Sequence, residues 1–156
     1  MAVLQGAIDG QLIPMDCRLL RVLLPCANCL IPEEIKNTFS EICFAVATQM
    51  EKEGICFDRV LPIDCLFVSG KEFSLCLEPH QMACCTKMAI YPIPALQNTE
   101  NRLMQMMIMT EELCHLIWEI SDEVLVNDKV LEVLQNIYPD LTLGDLGYRC
   151  DPPQYI

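Results

Sequence analysis

Thr110-Glu111-Glu112-Leu113-Cys114-His115 lies inside the apolar run 103–118 and holds one of only two histidines in the chain, beside two carboxylates. On an α-helix Glu111 and His115 stand one turn apart on the same face, and Trp118 and Asp122 continue that stripe at the next helical spacings. Glu112 is rotated away from it by about 100 degrees. The surrounding residues Leu103, Met104, Met106, Met107, Ile108, Met109, Leu113, Leu116 and Ile117 make a helix over about 100–120 apolar nearly all round, which places it in the middle of a domain. Its few polar side chains must then find partners or bind something, because an unpaired buried carboxylate is costly.

Asn98 or Thr99 is placed to cap this helix, with Glu100 near its positive end. On the other side Ser121 or Asp122 interrupts the run, and either can cap a second helix in which Val126, Val130, Leu134 and Ile137 mark the buried stripe before Pro139 ends it. The tail 141–156 carries Leu141, Leu143 and Leu146, then Gly147 and Pro152-Pro153, and is expected to pack locally before fraying.

Upstream, 56–92 turns to short β-prone runs. Ile63–Val68 and residues 73–77 flank Ser69-Gly70-Lys71-Glu72, which reads as a hairpin connection. A third run, 88–91, closes at Pro92 and Pro94. These runs predict three short antiparallel strands between helices. Ahead of them Ile35, Phe39, Ile42, Cys43, Val46 and Met50 repeat at steps of 3 to 4 residues, so an amphipathic helix runs from Pro32, read as its first position, to about Lys52, with Gly54 as its stop. Glu33 and Glu34 suit its positive end. Glu51-Lys52-Glu53 reads as solvated helix-end surface. Residues 1–32 are punctuated by Gly6, Gly10, Pro14, Pro25 and Pro32 and are read as an irregular segment, with 18–24 its best candidate element.

The length of 156 residues suits one domain, with a core at 33–138. A composition 53% hydrophobic and 21% charged excludes a disordered chain. A mean hydropathy of +0.30 is high for a soluble monomer and leaves a homo-oligomer or a protein partner open. The longest uncharged runs, 22–32 and 88–99, are too short and too proline-broken to span a membrane, so neither a transmembrane segment nor a signal peptide is expected. Ten basic against 22 acidic residues give a formal charge of -12, which repels phosphate backbones and argues against nucleic acid as a partner. The eleven cysteines are odd in number, and Cys43, Cys65, Cys76 and Cys114 sit in apolar periodic runs, which predicts reduced thiols of a cytoplasmic protein.

The order helix, small sheet, buried helix with Glu-Glu-x-x-His, then a helix with an early glutamate resembles the minigluzincin metallopeptidases, in particular the ImmA/IrrE type found on phages and mobile elements. In that family an HExxH helix supplies two ligands and the base, and a glutamate opening the next helix supplies the third ligand. The run Glu123-Val124-Leu125-Val126-Asn127 onward to Leu134 is similar to the family's glutamate-x-x-Ala-Asn segment. The resemblance implies an α+β, zincin-like fold. It implies a divalent metal, Zn or, given the carboxylates, Mn or Fe, held by Glu111 in place of the first histidine, by His115 and by Glu123, with Asp122 as the alternative to Glu123. It also implies that Glu112 is the general base of a metal-dependent peptidase acting on a protein partner. The other reading is a non-catalytic interaction protein that keeps the fold without metal, with Glu111 and Glu112 on a solvated or partner-facing edge and His115 hydrogen-bonded to a neighbour such as Asp122.

Other patterns are weaker. Cys26-Ala27-Asn28-Cys29 has the spacing of a zinc half-site or redox pair, but no second CxxC accompanies it. Cys84, Cys85 or Cys150 would complete such a site only if the fold gathered them. His80 reads as a loop residue, and Met104, Met106, Met107 and Met109 read as adaptable core.

Overall fold

The computed structural model describes residues 13–70 and 87–147, together with the backbone of strand residues 2–4, 8–9 and 75–77. His80, Cys84, Cys85, Cys150 and Lys71-Glu72 lie outside the described residues. The architecture is α+β. Strands β1 (Ala2–Leu4), β2 (Ile8–Asp9) and β3 (Leu23–Ala27) precede helix α1 (Glu33–Lys52). Strands β4 (Ile63–Val68), β5 (Leu75–Leu77) and β6 (Lys87–Pro92) follow, then α2 (Ile93–Gln97), α3 (Arg102–Ile117) and α4 (Glu123–Leu134).

Helix α1 follows its sequence pattern closely. Ile35, Phe39, Ile42, Cys43, Val46 and Met50 are all buried along one face. Pro32 is the N-cap, so the helix starts at Glu33, one position later than expected. The helix closes in a Schellman motif, with Gly54 N–H bonded to Glu51 O at 3.1 Å and Ile55 N–H to Met50 O at 2.9 Å. That motif requires a left-handed residue, and Gly54 supplies it at φ +68°.

The sheet corrects the expected antiparallel arrangement. Its order is β2-β3-β4-β6, with β3 parallel to β4 and β4 parallel to β6; β2 alone runs antiparallel, against β3. The reason is the crossover: α1 carries the chain from the end of β3 back to the start of β4, and a connection of that length returns a strand in the same direction. The expected hairpin fails because β5 pairs with β1, Leu4 opposite Leu75, and not with β4. The segment read as irregular thus supplies β3, which pairs with β2 through Ala27 and Cys26.

Ile63, Cys65 and Phe67 of β4 face the main core, while Leu66 and Val68 are buried on the opposite face with Cys26 and Met88. Phe39 of α1 meets Phe67 edge-on, 5.1 Å between centroids, and Tyr91 of β6 at 5.8 Å. The Tyr91 hydroxyl donates to Met109 O at 3.0 Å, which ties the sheet to α3. Helix α3 packs against α1, α4 and β6 at once, the central position its composition requires. Met106 and Met109 are fully buried core. The cap of α3 is Asn101, whose Oδ1 accepts from Met104 N–H at 2.9 Å, in place of the expected Asn98 or Thr99. Those two residues belong instead to the turn that closes α2, where Asn98 is the C-cap. Helix α4 ends at Leu134, short of Pro139, with Ile137 only half-buried in the turn beyond.

The two cysteines of the CxxC pattern part company in the fold. Cys26 packs with Leu66 and Val68 behind the sheet, and Cys29 packs against the main core. Burial pushes the thiols of Cys43, Cys65 and Cys114 well up, so they remain neutral, inert packing groups.

Glu53 belongs to a network and not to bare surface. Its carboxylate accepts from Lys129 Nζ at 2.6 Å, Gln49 Nε2 at 2.7 Å and Trp118 Nε1 at 2.6 Å, bolting the end of α1 to α4 and to the residue that closes α3. Burial opposes its charge, yet the bonds from Lys129, Gln49 and Trp118 hold its carboxyl below the usual range. A depressed folded value means stability that is complete above the unfolded pKa, about 4.3, and is lost as pH falls through the folded value. Denaturation followed by the fluorescence of Trp118, the single tryptophan, should therefore find wild type more stable than Glu53→Gln at pH 7. That margin should persist down to about pH 4.3 and vanish below it; a margin independent of pH would exclude this role.

Candidate metal centre

Helix α3 puts Glu111 and His115 one turn apart, as the spacing requires, and the chain then reverses within five residues to start α4 at Glu123. Two local devices make so short a reversal work. Glu119 adopts φ +55°, a left-handed conformation costing a non-glycine residue on the order of 1 kcal/mol. Asp122 caps α4, its Oδ1 accepting from Val124 and Leu125 N–H, both at 2.9 Å. Because α3 stops at Ile117, Asp122 does not continue the Glu111–His115 stripe as the spacing suggested. Its carboxylate serves the cap, and Glu123 is the residue that turns toward His115.

Among the described residues Glu111, His115 and Glu123 form a group whose ligand atoms all lie within 4.8 Å of one another. His115 Nε2 stands 3.8 Å from Glu123 Oε2. On the other side of the ring Nδ1 lies 2.6 Å from Ile120 O. A carbonyl oxygen can only accept, so Nδ1 carries the proton, and in the neutral imidazole Nε2 presents its lone pair on the side of Glu123. Metal-binding histidines are oriented in this way, by donating the other ring N–H to a backbone carbonyl. The same bond answers the alternative of a His115–Asp122 pair: the partner is Ile120.

Ligands held about 2.1 Å from an ion stand roughly 3.4 Å apart in a tetrahedral set. The cluster is thus somewhat open, and Glu123, 74% exposed along its side chain, has the freedom to close it. His115 is 24% exposed, so the centre sits at the surface edge between the helices. The donor set of one imidazole and two carboxylates fits a divalent cation at the harder end of the transition series. Glu112, next to this group in sequence, is exposed and does not join the convergence.

Sequence reasoning missed the supports of the site. Lys87 Nζ donates to Leu116 O at 3.0 Å and to Glu119 Oε1 at 2.8 Å, anchoring the end of α3 to β6. Trp118, bonded to Glu53, pins the same turn from the α1 side.

The chain defines an α+β protein with a two-helix Glu-His-Glu centre. No family model, no curated protein and no solved structure matches it. No helix among the described residues is long and apolar enough to cross a membrane.

Proposed function

We propose that this is a metallopeptidase-like protein whose Glu111, His115 and Glu123 hold a divalent cation and whose surface around that centre engages a protein partner. The observation that carries the reading is the orientation of His115: Nδ1 is tied to Ile120 O, and Nε2 faces Glu123, in a group that Glu111 completes. In this reading Glu111 stands where the minigluzincins have their first histidine, and Glu123 stands where they have their third ligand. With glutamate in that place the site tolerates Mn or Fe alongside Zn. A bound ion would supply Lewis-acid polarisation of a carbonyl and acidify a water. Glu112, the general base that the resemblance implies, is exposed beside Glu111 and outside the group of three, so it would act on such a water from beyond the ligand set.

One observation favours a second reading, a non-catalytic binding protein. Val124 and Leu125 are 70% and 59% exposed in the same turn as Glu123, and apolar side chains exposed together suit contact with another chain. Incubation of chelator-free protein with casein in Mn or Zn separates the two. The peptidase reading expects chelator-sensitive cleavage that falls by about 10²-fold or more in Glu112→Gln, with metal uptake retained. Cleavage indifferent to chelator and to Glu112→Gln would overturn it, and metal uptake with no cleavage at all would leave the binding reading.

A further inference from the structure

We propose that Lys87 and Glu119 are positioning residues for His115, forming a clamp that holds the turn after α3 so that Ile120 O fixes the imidazole with Nε2 toward Glu111 and Glu123. This rests on the metal-site reading above.

The clamp starts at the end of the helix. The last carbonyls of an α-helix have no intrahelical donor and need one from elsewhere. Leu116 O, in the last turn of α3, receives Lys87 Nζ at 3.0 Å. The same ammonium holds Glu119 Oε1 at 2.8 Å, and this bond keeps the Glu119 carboxyl below its usual range. A lysine is suited to the task because its ammonium offers three donors from one compact head and complements the negative end of the helix. Glu119 is also the residue at φ +55°. Its side chain is thus tethered while its backbone makes the bend, and the following residue, Ile120, delivers the carbonyl that lies 2.6 Å from His115 Nδ1. Lys87 opens β6, a strand of the sheet, and lies 28 positions before His115. The rigid sheet therefore sets the bearing of the imidazole through one cation, one carboxylate and one carbonyl, and none of these three atoms belongs to the ligand set.

The test uses the full chain labelled with 15N, without metal, at a pH where the nitrogen shifts themselves show the His115 ring to be neutral. Two-bond proton-nitrogen spectra report which ring nitrogen of His115 carries the proton. Wild type is expected to show the Nδ1–H tautomer alone. Lys87→Met should populate the Nε2–H tautomer and weaken Zn or Mn binding by about 10-fold or more, the usual consequence of losing an outer-shell partner. Lys87→Arg, which keeps the cation, should recover part of both. Glu119→Asn, which tolerates positive φ but removes the carboxylate that Lys87 holds, should shift the tautomer as Lys87→Met does, and it decides the matter if Lys87→Met does not fold. Retention of the Nδ1–H tautomer in both Lys87→Met and Glu119→Asn, with affinity within about 2-fold of wild type, would overturn the clamp. If wild type binds no metal but Lys87→Met changes the tautomer, the clamp stands and the metal reading falls. If wild type binds metal and the variants match it, only the clamp falls.

Discussion

Replacing His115 by alanine is expected to abolish divalent-metal uptake. The imidazole is the only nitrogen donor in the group of three, and its removal leaves two glutamates, one of them 74% exposed, with no pre-oriented atom between them. A ligand that binds only the folded state raises its stability by mass action, about 2.7 kcal/mol when present at 100 times its dissociation constant. Thermal unfolding of wild type should therefore shift upward as Zn or Mn is added, and His115→Ala should show no shift. The variant also loses the bond to Ile120 O, so its metal-free stability should drop by about 1 kcal/mol. Equal metal-dependent stabilisation in the two proteins would remove His115 from the site.

The largest loss of stability is expected from Phe39→Ala, about 3–5 kcal/mol. Phe39 is fully buried where α1 crosses the sheet, edge-on to Phe67 of β4 at 87° and in contact with Tyr91 of β6. Truncation loses the transfer energy of the ring and leaves a cavity that two aromatic neighbours on a parallel sheet cannot collapse to fill. Tyr91 is held by its bond to Met109 O, so the damage should reach α3, which carries Glu111 and His115. Urea unfolding measures the change through the midpoint at constant slope. A loss under about 1 kcal/mol would mean that the helix and sheet do not meet at Phe39.

What the sequence disclosed follows from the range over which each signal acts. Helix α1 was legible from end to end because its apolar residues, its first-turn glutamates and Gly54 all act within a few positions of one another. The spacing of Glu111 and His115 was legible for the same reason. The direction of the sheet is only faintly signed: Ile63-Asp64-Cys65-Leu66-Phe67-Val68 is a nearly continuous apolar run, as befits a strand buried on both faces between parallel neighbours. The turn-like Ser69-Gly70 beside it carries the stronger local signal, that of a hairpin. The choice between Asp122 and Glu123 depended on a left-handed Glu119, which no residue type announces, since glycine is the usual occupant of that conformation. The bonds of Glu53 to Trp118 and Lys129 join positions 65 and 76 residues apart; local patterning carries no trace of them, and Glu53 read as plain surface.

The claim on which the account turns is that Glu111, His115 and Glu123 form one centre for a single ion. Metal analysis of protein purified without chelator, followed by titration with Zn and Mn, tests it most directly. The account predicts saturation at about one equivalent, lost in His115→Ala. Less than about 0.1 equivalents of any transition metal, with no uptake on titration, would contradict it.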